Sequence, residues 1–84
     1  MLLTFEFDSK EEILCIHGDT EGLGNLVDSI LRLLKNTKDG EFGHEHLFTP
    51  EWAGNDLTSQ ALNDHATLIN HVKMYCWKTS PFHT

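Results

Sequence analysis

Six histidines in 84 residues raise a metal hypothesis, and the sharpest pair is His44 and His46 in Gly43-His44-Glu45-His46-Leu47. On an extended strand, residues two apart share a face, so both imidazoles are placed to meet one ion. A metal centre needs a third protein ligand. His71 or Glu51 could supply it by residue type, but only if folding brings one of them close. The simpler reading is a polar strand face whose rings hydrogen-bond to their neighbours. A small metal-binding domain, or metal-dependent enzyme, built on His44, His46 and His71 is therefore the alternative function.

Other chemistry is harder to assemble. The carboxylate pairs Glu11–Glu12 and Glu51–Asp56 have no convergent nucleophile and read as solvated charges. Ser29 and Ser59 do not sit in a strand-to-helix elbow of the kind that exposes a nucleophile. Gly18, Gly22 and Gly24 open a helix without the glycine order or the lysine of a phosphate-binding loop. Gly18 ends a strand, and the other two glycines are expected to allow close packing in the first helical turn. Cys15 and Cys76 lie far apart without metal-type spacing and are expected to be buried thiols. A catalytic site is not expected.

The elements that must position these residues belong to a single domain over residues 1–84, since so short a chain cannot form two independent cores. A formal net charge of −7 excludes the basic surface that nucleic-acid binding requires. The nearest thing to a basic cluster is Arg32, Lys35 and Lys38 at one helix end. The chain has no apolar run of membrane-spanning length, and its first residues lack a basic segment before a long apolar stretch. A cytoplasmic location is expected, with neither membrane nor nucleic acid as a partner.

Residues 2–8 alternate, with Leu3, Phe5 and Phe7 on one side and Thr4, Glu6 and Asp8 on the other, which predicts a half-buried strand. A polar turn leads to a second, more fully buried strand at Ile13–Ile16, suited to an antiparallel hairpin. Asp19 or Thr20 is placed to cap a helix. Its residues Leu23, Leu26, Val27, Ile30, Leu31 and Leu34 form one apolar stripe, expected to face the domain core. Asn36 through Gly40 ends it. A third strand is expected at Phe42–Thr49 and a fourth from Ile69 to Lys78. The polar stretch from Glu51 to Thr67 reads as a long connection with a helical turn near Ser59–Leu62. The pattern predicts an α+β fold: a mainly antiparallel four-stranded sheet, ordered strand-strand-helix-strand-strand, with the helix on one face.

One helix covers one side of such a sheet. If Val72, Met74 and Cys76 face the helix, then His71, Tyr75 and Trp77 line the other side, where aromatic side chains make good binding anchors. The alternative is that the long connection folds back over them. Pro50, Trp52 and Gly54 read as a structural corner, with the indole expected to be buried.

The run His44-Glu45-His46-Leu47-Phe48-Thr49-Pro50-Glu51-Trp52-Ala53-Gly54-Asn55-Asp56-Leu57-Thr58, followed by Leu68-Ile69-Asn70-His71-Val72-Lys73-Met74-Tyr75, resembles the immunity protein 32 family, as does the Gly18-Asp19-x-x-Gly22-Leu23 helix entry. The sequence departs at Ala53, where the family more usually has glycine. The resemblance implies an antitoxin of a bacterial polymorphic-toxin system, with a cognate protein toxin as partner and neither catalysis nor cofactor. The acidic charge would steer it toward a basic toxin such as a nuclease. The expected contact residues are His44, His46, Glu51, Trp52, Asp56, Tyr75 and Trp77. A self-associating module that pairs through the open sheet face is a third reading, and a homodimer through Tyr75 and Trp77 is expected of the isolated protein.

Overall fold

A computed structural model describes residues 1–79 of the chain. The element order is β1 (Leu3–Asp8), β2 (Ile13–Gly18), α1 (Thr20–Asn36), β3 (Phe42–Phe48), a single 3₁₀ turn (Pro50–Trp52), β4 (Thr67–Leu68) and β5 (His71–Trp77). The α+β class matches the sequence pattern. The expected four-stranded sheet does not form as one unit: β2-β1-β4 make a three-stranded sheet and β3-β5 a two-stranded one, all antiparallel. The division falls inside the expected last strand, at Ile69–Asn70. Ile69 N–H donates to the Phe5 carbonyl while the Asn70 carbonyl accepts from Thr49 N–H, so the chain leaves β1 and joins β3 within two residues. Asn70 Oδ1 also accepts from the Thr49 hydroxyl at 2.6 Å, fixing the crossing.

β1 and β2 form the expected hairpin, its turn held by Asp8 Oδ1, which accepts from Lys10 N–H and Glu11 N–H. The helix starts where Asp19 caps it, with Asp19 Oδ1 accepting from Gly22 N–H at 2.7 Å. Gly22 is required there, because a Cβ would overlap the Leu2 carbonyl; Gly24 meets no such neighbour. At the other end the Thr37 N–H and hydroxyl both donate to the Leu33 carbonyl and close the last turn.

The core is small: Leu3, Phe5, Leu47 and Leu57 are buried, with Leu26, Ile69, Val72 and Met74 packed against them. Three expectations about its borders are overturned. Of the helix stripe only Leu26 faces inward. α1 meets the sheets through Gly22, Ser29 and Leu33, while Leu23, Val27, Ile30, Leu31 and Leu34 are exposed. Periodicity gives the apolar side of a helix but not the rotation at which it docks, and small residues allow the closer approach. Likewise β2 is an edge strand, and Ile13, Leu14 and Ile16 are exposed rather than buried.

The third reversal concerns β1. Thr4 and Glu6, on its polar side, are completely buried. The long connection lies over that side, without the expected helical turn at 59–62. Glu6 Oε1 accepts from Leu62 N–H and Asn63 N–H at 2.8 and 2.9 Å, and Oε2 accepts from the Thr4 hydroxyl at 2.7 Å. The carboxylate thus supplies partners to loop N–H groups that have no strand to pair with. Burial alone would raise its pKa. The Asn63 N–H, the Thr4 hydroxyl, the Leu62 N–H and nearby His17 together outweigh burial and hold it below the usual carboxylate range.

Candidate functional site

The antiparallel register of β3 and β5 puts Phe42 opposite Trp77, His44 opposite Tyr75, His46 opposite Lys73 and Phe48 opposite His71. By the two-residue period of strands these eight side chains share one face, and Gly43, Glu45, Leu47, Val72, Met74 and Cys76 share the other. The second set meets the helix and the core: Leu47, Val72 and Met74 join the apolar cluster, and Gly43 sits beneath Thr37 and Leu33. The first set faces away. The expectation that Val72, Met74 and Cys76 turn toward the helix and leave His71, Tyr75 and Trp77 on the open side agrees with this register.

The rings on the open side form a continuous row. Trp77 stacks on Phe42 with centroids 4.8 Å apart, and Tyr75 lies 6.0 Å from Trp77 and 6.1 Å from His44. His44 meets His46 edge-on, and His71 stacks on both His46 and Phe48. Trp52, carried up by the 3₁₀ turn, closes the row against His71 at 5.8 Å. The Lys73 ammonium lies over the Tyr75 ring at 4.8 Å. Phe42, Trp52, Tyr75 and Trp77 are 46–56% exposed, so about half of each large ring is available to a partner.

At the centre of the row His46 Nδ1 and His71 Nε2 are 2.7 Å apart. One ring must donate and the other accept, so the pair is favourable when it carries a single bridging proton and both rings are neutral. His46 titrates below the usual imidazole range, first because of burial and then because of His71, Lys73 and His44. Among the described residues no three His, Cys, Asp or Glu side chains are arranged to hold a metal ion. Cys15 and Cys76 are free, half-buried thiols on different sheets.

Of the seven expected contact residues, His44, His46, Trp52, Tyr75 and Trp77 come together on this face. Glu51 stands beside Trp52 at one end, exposed, with its carboxylate accepting from the Ser59 hydroxyl at 2.6 Å. That bond holds Glu51 below the ordinary carboxylate range. Asp56 is not brought to the face. Its Oδ2 accepts from Phe48 N–H, tying the corner to β3, and it lines a cleft of about 300 Å³ between the loop and the helix, which Arg32 shares. Arg32 is itself committed to Glu45.

The corner has the shape expected, but Trp52 is 56% exposed rather than buried. Trp52 N–H and Gly54 N–H both donate to the Thr49 carbonyl, and Gly54 lies so close to Phe48 that a Cβ would overlap it. Ala53 adopts a left-handed backbone with φ of 62°, where glycine is at no steric disadvantage. Phe42 and Phe48 were missed as members of the row, although the strand period that pairs His44 with His46 extends to both.

A folded domain that leaves one face of its β3–β5 sheet bare and places a row of half-exposed rings there has the features of a protein-binding module. The family model for immunity protein 32 matches residues 14–72, well over half of the chain, and the protein belongs to that family. No curated protein and no solved structure matches it.

Proposed function

We propose that this protein binds a cognate toxin of a bacterial polymorphic-toxin system through the open face of β3 and β5 and neutralises it by occlusion. No catalytic step and no cofactor take part, and the protein acts in the cytoplasm of the cell that makes it. The observation that carries the reading is the row of half-exposed rings from Trp77 to Trp52 on the sheet face turned away from the helix. Rigid aromatic side chains bury a large area at small cost in conformational entropy, and the stacking already orders them before any partner arrives. Membership of the immunity protein 32 family supports a toxin as that partner. The net charge of −7 favours a basic toxin, whose approach it would accelerate.

The test is co-expression with the toxin domain encoded beside its own gene. Wild-type protein should restore growth and co-purify with the toxin in a fixed ratio, whereas the double variant Tyr75→Ala/Trp77→Ala, still folded, should do neither. Protection by the folded double variant would place the toxin elsewhere on the surface.

A further inference from the structure

The second uncovered surface is on the opposite side of the molecule. Leu23, Val27, Ile30, Leu31 and Leu34 run along α1 and are each 41–57% exposed. The strip continues onto β2. Leu14, Ile16 and Gly18 alternate on one side of that strand, and Gly18 lies directly under the Leu23 side chain, so Leu14 and Ile16 point to the same side as the strip. Both are about half exposed. At that exposure the strip presents on the order of 600 Å², the upper end of the largest patch found on ordinary monomers.

We propose that a second copy of this chain covers the strip, its α1 packed antiparallel across a two-fold axis beside Leu31. The charges on the helix select this occupant. Asp28 and Lys35 are both exposed and are seven residues apart, which is two turns and therefore one line along the flank of the strip. Neither takes part in an ion pair among the described residues. A two-fold axis at the midpoint between them sets Asp28 of each copy beside Lys35 of the other, and the same operation lays strip on strip. The strip is thus complementary to itself in both shape and sign. Antiparallel helices also oppose the positive N-terminus of one to the negative C-terminus of the other. Two such patches brought together bury about 1,200 Å², the lower bound of stable interfaces. Self-association, expected from the sequence at Tyr75 and Trp77, is assigned here to the helix instead. That leaves the aromatic row free in each copy, and the proposal does not depend on what the row binds.

The test is molar mass in solution, by light scattering and sedimentation equilibrium, on the full chain from 5 to 200 µM, a span set to bracket a dissociation constant on the order of 10 µM. Wild type should reach twice the chain mass of 9.6 kDa. Leu31→Glu should stay at the chain mass with an unchanged circular dichroism spectrum, and Trp77→Glu should still dimerise. The charge swaps give a second readout, at exposed positions and independent of any effect of Leu31→Glu on folding. Asp28→Lys and Lys35→Asp should each weaken association by about five- to tenfold, since each sets two like-charge contacts in the dimer. The double variant Asp28→Lys/Lys35→Asp should recover most of the loss. A wild type that remains at the chain mass at 200 µM overturns the proposal, and so does dissociation by Trp77→Glu but not by Leu31→Glu. Single swaps that leave the dissociation constant unchanged overturn it as well. A monomeric wild type whose binding to the neighbour-encoded toxin is abolished by Leu31→Glu would give the strip to the toxin instead.

Discussion

The faces of the two sheets that point away from the helix have opposite fates. On the three-stranded sheet that face carries Thr4 and Glu6, and the segment around Leu62 and Asn63 buries both completely. On the β3–β5 pair it carries Phe42, His44, Tyr75 and Trp77, and nothing among the described residues covers it. Hydrophobicity does not decide which half is closed, since the closed half is the polar one. The anchor decides it. A loop without a strand partner has N–H groups to satisfy, and the Glu6 carboxylate accepts two of them. The aromatic face offers a loop backbone no equivalent acceptor. A polar cover therefore goes to the polar face, and the apolar face is left for another molecule.

The largest effect should come from removing that anchor. Glu6→Ala strands the Leu62 and Asn63 N–H groups and leaves a space beside Thr4, and should cost about 3 kcal/mol or more, read by urea denaturation. Equivalent removal on the open face, Tyr75→Ala, should cost less than about 1 kcal/mol, as expected for a half-exposed side chain. A reversed order of these two losses would break the comparison.

Acid should separate the halves in the same way. The folded-state pKa of Glu6 is lowered, so its contribution to stability is complete above the ordinary carboxylate value. It is lost as pH falls through the lowered folded value. Melting temperature should therefore fall most steeply below about pH 4, a drop much reduced in Glu6→Gln. His46 contributes less, and at higher pH. Its folded pKa is lowered too, so its stabilisation is complete above the ordinary imidazole value and declines as pH drops through it. His46→Phe should flatten the profile between pH 7 and 5.

Two substitutions at the corner give the smallest changes. Ala53→Gly should stabilise by about 1 kcal/mol, because it relieves the left-handed backbone at φ 62°. Trp52→Ala should shift stability by less than about 1 kcal/mol, since the ring is half exposed. A loss near 3 kcal/mol would return Trp52 to a structural role.

Much of this arrangement was legible in the sequence, and the illegible parts share a cause. Strand periods gave β1, β2, β3 and β5, and the Asp19 cap and glycines gave the start of α1. The same period-two rule paired His44 with His46 and Tyr75 with Trp77, and the β3–β5 register sets both pairs on one face. What periodicity cannot say is which neighbour arrives. It marked Leu23, Val27 and Leu31 as apolar but could not show that α1 docks through Gly22, Ser29 and Leu33. It marked Glu6 as polar but could not show that a segment nearly sixty residues away would need its carboxylate. The break at Asn70 was hidden for the same reason, since it depends on a hydrogen bond to Thr49.

The central claim, that the bare face of β3 and β5 is the toxin-binding surface, is tested most directly by titration calorimetry of the neighbour-encoded toxin domain against wild type, Tyr75→Ala/Trp77→Ala and Leu31→Glu. The double variant should bind at least about 100-fold more weakly, as loss of two aromatic anchors demands. Leu31→Glu, altered only on the helix strip, should bind as wild type does. Unchanged affinity in the double variant, with its fold intact, would contradict the account.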